Sequence, residues 1–88
     1  MKLKYNFHFQ PVGRTFVGVA VGEDARKFAG MIQLNEVGHD IVARMTSEVT
    51  RDKIVKSILE EYDSDEETVG KYVDEVIEYL NSEGVLDV

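Results

Sequence analysis

His8 and His39 are the only histidines in the chain, and there is no cysteine. A metal centre would therefore need both imidazoles plus carboxylates, since no thiolate can contribute. His39 and Asp40 are adjacent, so on a helix they point about 100° apart and do not readily share one ion. Surface histidines are the reading that follows, with no metal and no cofactor. Asp63, Asp65, Glu66 and Glu67 are carboxylates in a run, but the turn glycine and spaced ligands of an EF-hand loop are absent. They read as a solvated, capped helix start. Ser47, Ser57, Ser64 and Ser82 offer hydroxyls, yet none stands in a glycine elbow beside an activating histidine. Gly13, Gly18, Gly22 and Gly30 form no phosphate-cradling motif. Paired carboxylates do acid–base work only in a concave site, which 88 residues scarcely build. No catalytic residue is assigned, and the chain does not read as an enzyme.

The elements that carry these residues follow from the hydrophobic pattern. A chain of 88 residues makes a single domain, 1–88, with strands over about 3–34 and helices over about 35–83. Leu3, Tyr5, Phe7 and Phe9 alternate with polar residues, the period of a half-buried strand. Pro11-Val12-Gly13 predicts a tight hairpin, with proline in the turn. A second strand runs from Arg14 to Val21, with Thr15, Val17, Val19 and Val21 on one face and Phe16 on the other. Gly22-Glu23-Asp24 signals a turn. A third strand, Phe28 to Leu34, places Phe28, Gly30, Ile32 and Leu34 on one side and Ala29, Met31 and Gln33 on the other.

From Asn35 the period becomes helical. Val37, Ile41 and Met45 mark a first helix behind an Asn35 cap, and Thr50 caps a second with the stripe Ile54, Val55, Ile58, Leu59 and Tyr62. Ser64 and Glu67 form a capping box for a third helix, whose buried stripe is Val69, Val73, Val76 and Leu80. Tyr72, Tyr79 and Ile77 flank it, and Gly84 ends it. The fold class is α+β, a three-stranded antiparallel sheet followed by a three-helix bundle, winged-helix-like.

Charge narrows the function. Residues 1–33 carry five Lys/Arg against two acids, whereas residues 34–88 carry five against fifteen. A winged-helix DNA reader needs a cationic recognition helix, but residues 65–83 hold seven acids and one lysine, Lys71. Nucleic acid is not the expected partner. No run approaches the ~20 apolar residues of a membrane span, and MKLKYNFHFQ is not a signal-peptide core, so no membrane and a cytoplasmic location are expected.

What remains is recognition of a peptide. If the third strand is an edge in space, its unpaired N–H and C=O groups can receive another extended chain. Gly30 allows close approach there, and Met31 and Ile32 supply adaptable apolar contact. Tyr72 and Tyr79 either wall a groove beside that edge or cap the core.

The run L-N-E-V-G-H-D-I-V at 34–42 resembles the strand-to-helix junction of the coenzyme PQQ synthesis protein D (PqqD) family. So do T-R-D-K-I-V-K-S-I-L-E-E-Y-D at 50–63 and the helix ending Y-L-N-S-E-G-V-L at 79–86. The order and spacing of the three carry the resemblance. The family often has threonine and tryptophan where this chain has Val37 and Val42, so the packing under the first helix differs. The resemblance implies a RiPP recognition element, a non-catalytic peptide chaperone like that of PQQ biosynthesis. Such a domain binds the leader of a ribosomally made precursor as an added strand and presents it to a modifying enzyme, frequently a radical SAM protein. Carried onto this chain, the peptide-binding residues are Ala29, Gly30, Met31, Ile32 and Gln33 on the strand, with Val69, Tyr72, Val73 and Val76 on the helix. Leu34, Asn35 and Gly38 are then a core anchor, a cap and a close-packing glycine. The alternatives are a structural protein that forms a homodimer through its own sheet edge, and a winged-helix-like regulator acting through a protein partner.

Overall fold

The alternating N-terminal run divides into two strands. In the computed structural model, which describes every residue from Met1 to Val88, β1 (Lys2–Leu3) pairs antiparallel with β5 (Leu86–Asp87). After a break at residues 4–6, β2 (Phe7–Val12) pairs with β3 (Thr15–Ala20), and β3 pairs with β4 (Met31–Leu34), all antiparallel. The break has a cause in hydrogen bonding. Leu3 N–H donates to the Met45 carbonyl and Lys4 N–H to that of Val85, both at 2.8 Å, which draws this stretch onto the helical layer. Asn6 N–H then turns to the Asp24 carboxylate at 2.8 Å. The side-chain alternation survives the break, because Tyr5 and Phe7 both pack on Phe28.

Two local expectations are corrected. Pro11 is not in the turn: it lies within β2 opposite Phe16, and the hairpin closes through Gly13 and Arg14. Gly13 has φ +62° and Arg14 a negative φ, the pattern of a two-residue type II′ turn. The third strand is shorter than the run Phe28–Leu34. Phe28 is drawn to the aromatic cluster, a 3-10 helix at Gly22–Arg26 precedes it, and the ladder begins only at Met31.

The helices are α1 (Glu36–Ala43), α2 (Arg51–Glu61) and α3 (Glu66–Ser82). Asn35 Oδ1 accepts the Gly38 N–H at 2.7 Å, and Thr50 Oγ1 accepts that of Lys53 at 3.3 Å, so both expected caps form. For α3 the cap is Asp65, one residue past Ser64, accepting the Thr68 N–H at 2.7 Å. That amide bond, the largest cause, holds the Asp65 carboxyl below its usual range. At the other end Gly84 has φ +72°, Gly84 N–H reaches Asn81 and Val85 N–H reaches Leu80, which is a Schellman motif. Val85 and Leu86 fold back into the core, and Leu86 opens β5.

The core lies between the sheet and the helices. Ile32 and Leu34 from β4 meet Ile41, Val42 and Met45, then Ile54, Ile58, Val73 and Leu80. Ile32 is fully buried, and one such side chain contributes about 1.5–3 kcal/mol. On the inner face of the sheet, Gly18 lies under the Phe9 ring, where an added Cβ would stand 2.4 Å from the ring edge. At the strand-to-helix junction a Cβ on Gly38 would stand 3.4 Å from Leu34 and 3.1 Å from Asn35 Oδ1. The junction therefore joins a buried leucine, a capping asparagine and a tightly packed glycine.

Candidate functional site

The strand order β2-β3-β4 makes β4 an edge in space. Which of its backbone groups face outward follows from the hairpin. A two-residue turn makes Val12–Thr15 a hydrogen-bonded pair, and alternation along the ladder then directs the Val17 backbone groups to β2. Val17 stands opposite Gln33 and Val19 opposite Met31, so the N–H and C=O groups of Gln33 and Met31 point away from the sheet. A direct contact agrees: Gln33 N–H donates to the Tyr79 hydroxyl oxygen at 3.0 Å. The groups of Ile32 and Leu34 face β3.

The strand-side residues inferred from sequence thus divide by role. Met31, 55% exposed, and Gln33 offer main-chain groups and side chains on the outer face, beside Val17 and Val19. Ile32 is buried beneath them. Ala29 and Gly30 are exposed but form the bend that leads into β4.

On α3 the structure also sorts the candidates. Val69 and Val73 are buried in the core, Val76 is half-buried, and Tyr72 is 44% exposed. The side chain that reaches β4 is Tyr79, a half-buried residue two turns beyond Tyr72. Seven residues of helix advance about 10 Å, so Tyr72 lies well along the groove from Gln33. There it lines a small apolar cleft of about 70 Å³ with Val37, Ile58, Tyr62, Ser64 and Val69. Edge and cleft are close in sequence, since Val37 follows Leu34 by three residues. The helix pattern placed Tyr79 as a groove wall or core cap without its bond to Gln33, and gave Val37 and Tyr62 only as stripe residues. The i, i+7 spacing of the two tyrosines was the one available signal.

The groups that support this surface are tied down. Tyr62 O–H donates to the Asp40 carboxylate, and that bond, with burial behind it, pushes the phenol up to about 12. Arg44 donates to Ser57 Oγ at 2.7 Å and to the Asp40 carbonyl at 2.6 Å, and pairs with Glu61 at 2.7 Å. Arg51 grips Asp74 through two bonds of 2.6 and 3.1 Å, which join α2 to α3 and hold the Asp74 carboxyl low. A larger hollow beside this pair, about 770 Å³, is lined chiefly by charged groups such as Glu67, Lys71 and Glu78. His39 is not a free surface imidazole: it stacks on Phe16 with centroids 4.0 Å apart and meets the edge of Phe9 at 5.2 Å. His, Asp and Glu side chains gather nowhere in groups of three or more able to hold a metal ion. No helix is long and apolar enough to cross a membrane.

The candidate site is therefore a sheet edge beside an aromatic helix face, next to an L-N-x-x-G junction. The family model for coenzyme PQQ synthesis protein D (PqqD) matches residues 21–86, and the chain belongs to that family. Its backbone is similar to a solved structure described as TbiB1 in complex with the TbiA(beta) leader peptide, at TM-score 0.73 and 20% identity. The likeness covers 99% of this chain and 95% of that one, so the two share a fold. Among curated proteins no significant match is found.

Proposed function

We propose that this chain is a non-catalytic adaptor that binds the leader of a ribosomally made precursor peptide as a fourth strand on β4. The observation that carries this is the pair of outward-facing residues, Met31 and Gln33, whose backbone groups have no strand to bond. Main-chain bonds to them would supply affinity, and an apolar leader side chain in the cleft formed by Val37, Tyr62 and Tyr72 would supply selectivity. Family membership supports the reading, as does a shared fold with a protein solved with a leader peptide. The bound leader is then presented to a modifying enzyme, a radical SAM protein being the expected class, in the cytoplasm. The product is PQQ or another peptide-derived compound. A leader with an acidic stretch near the N-terminal third, which carries five Lys/Arg against two acids, would be steered well, while a strongly basic leader would be drawn to the acidic helices.

An amide-shift titration with short precursor peptides encoded beside the gene tests this. Shifts are expected in residues 28–34 of the strand region, in 69–79 of α3, and at Val37 and Tyr62 beside the cleft. A protein that is already dimeric and unresponsive to every such peptide would instead indicate self-pairing through the same edge.

A further inference from the structure

The Tyr79 hydroxyl lies where an added strand would place a carbonyl oxygen. A strand paired to β4 must offer an acceptor about 2.9 Å from the Gln33 N–H, and the phenol oxygen already stands 3.0 Å from it. We propose that Tyr79 guards the receptor edge, holding the Gln33 amide closed until a leader displaces the hydroxyl. The inference rests on the strand-addition reading and assigns Tyr79 an affinity-setting role within it.

Geometry fixes the guard in place. Tyr79 projects from α3, which contributes to the core, so its hydroxyl reaches the edge from a fixed base. Met31 presents its own outward groups with no side-chain cap, so the edge is open at one end of β4 and closed at the other. Displacement costs every incoming strand the same hydrogen bond. It weighs most on chains with main-chain bonds alone to offer, such as an unrelated extended peptide or the β4 of a second copy. A leader that also seats an apolar side chain beside Tyr72, about 10 Å along the helix, offsets the loss. The hydroxyl thereby raises the affinity threshold of the edge for every strand alike, and an anchored leader is the one that clears it.

Tyr79→Phe tests this, since it keeps the ring and removes only the acceptor. In the peptide-free protein the Gln33 amide should exchange with solvent faster in Y79F than in wild type. Precursor peptides encoded beside the gene should bind Y79F about two- to tenfold more tightly, the worth of one neutral hydrogen bond. Equal affinity, with β4 amides still shifting, would overturn the guard and leave strand addition standing. Weaker binding would also overturn it, by making the hydroxyl a leader contact. Unaltered Gln33 exchange overturns the guard without any peptide. If no peptide shifts β4 in either form, the strand-addition reading fails and the guard falls with it.

Discussion

The two edges of the sheet are built from opposite materials. On β2 the outward position opposite Phe16 is Pro11, which has no N–H to offer, so that edge lacks a donor where a partner strand would need one. On β4 the outward positions are Met31 and Gln33, both with full backbone groups, and the one donor that is engaged is held by a side chain. An edge blocked by proline stays blocked. An edge capped by a phenol can be opened. A small sheet thus interrupts one edge irreversibly at Pro11, although Phe7 and Phe9 keep outward groups there, and caps the other reversibly; the difference lies in a ring nitrogen and a hydroxyl.

The comparison can be broken most directly at Met31. Met31→Pro gives β4 the chemistry of β2: it removes an outward donor and no bond to β3, so the fold should persist. Leader binding should weaken by about 100-fold or more, as the loss of a ladder bond adds to steric obstruction. Calorimetric titration beside an unchanged melting curve would verify this, and retained affinity would sink the strand-addition reading.

Next in size is Gly18→Ala in the strand shared by both edges. The new Cβ would stand 2.4 Å from the edge of the Phe9 ring, and overpacking of this kind costs about 1–3 kcal/mol, measurable by urea unfolding.

Smaller again is the alkaline response of Tyr62. Its phenol titrates near 12 in the folded protein against an ordinary value near 10, so the neutral, hydrogen-bonded form is the one folding favours. That stability is complete below about pH 10 and is lost as pH rises through about 12. Absorbance titration of tyrosinate should show one late phenol that Tyr62→Phe removes.

The smallest effect is expected at the closed edge. Pro11→Thr restores a donor to β2, yet leader affinity should stay within about twofold, because the β4 groups and the cleft are untouched. Amide shifts that migrate to residues 7–12 would show that proline alone had made the choice.

How far these features could be read in the sequence depends on the range of the contacts that make them. Asn35, Thr50 and Gly84 act within a few residues of themselves, and each was legible. The start of α3 was displaced by one residue because Ser64 and Asp65 both offer a capping oxygen, and the carboxylate has the Thr68 amide. Pro11 was misplaced because a proline–glycine pair suggests a turn, while Gly13 alone supplies the positive φ the hairpin needs. The pairing of β1 with β5 joins opposite ends of the sequence, and two-residue strands leave no periodicity to detect. Tyr79 reaches Gln33 across 46 positions. Flanking position on a helix stripe suggested a wall there, but it could not say which tyrosine meets the strand. Gly30 was read as a point of close approach on the strand, yet it lies in the bend before the ladder. The edge was foreseen, and its register was not.

The short β4 is anchored at both ends, by Phe28 in the aromatic cluster before it and by Asn35 capping α1 after it. Its four residues are therefore already in the conformation a partner strand requires. The ordering entropy of complex formation then falls almost wholly on the leader, and the adaptor contributes little of its own. Binding should accordingly carry the heat signature of a flexible peptide becoming ordered on a rigid template: a favourable enthalpy opposed by an entropy that belongs to the guest.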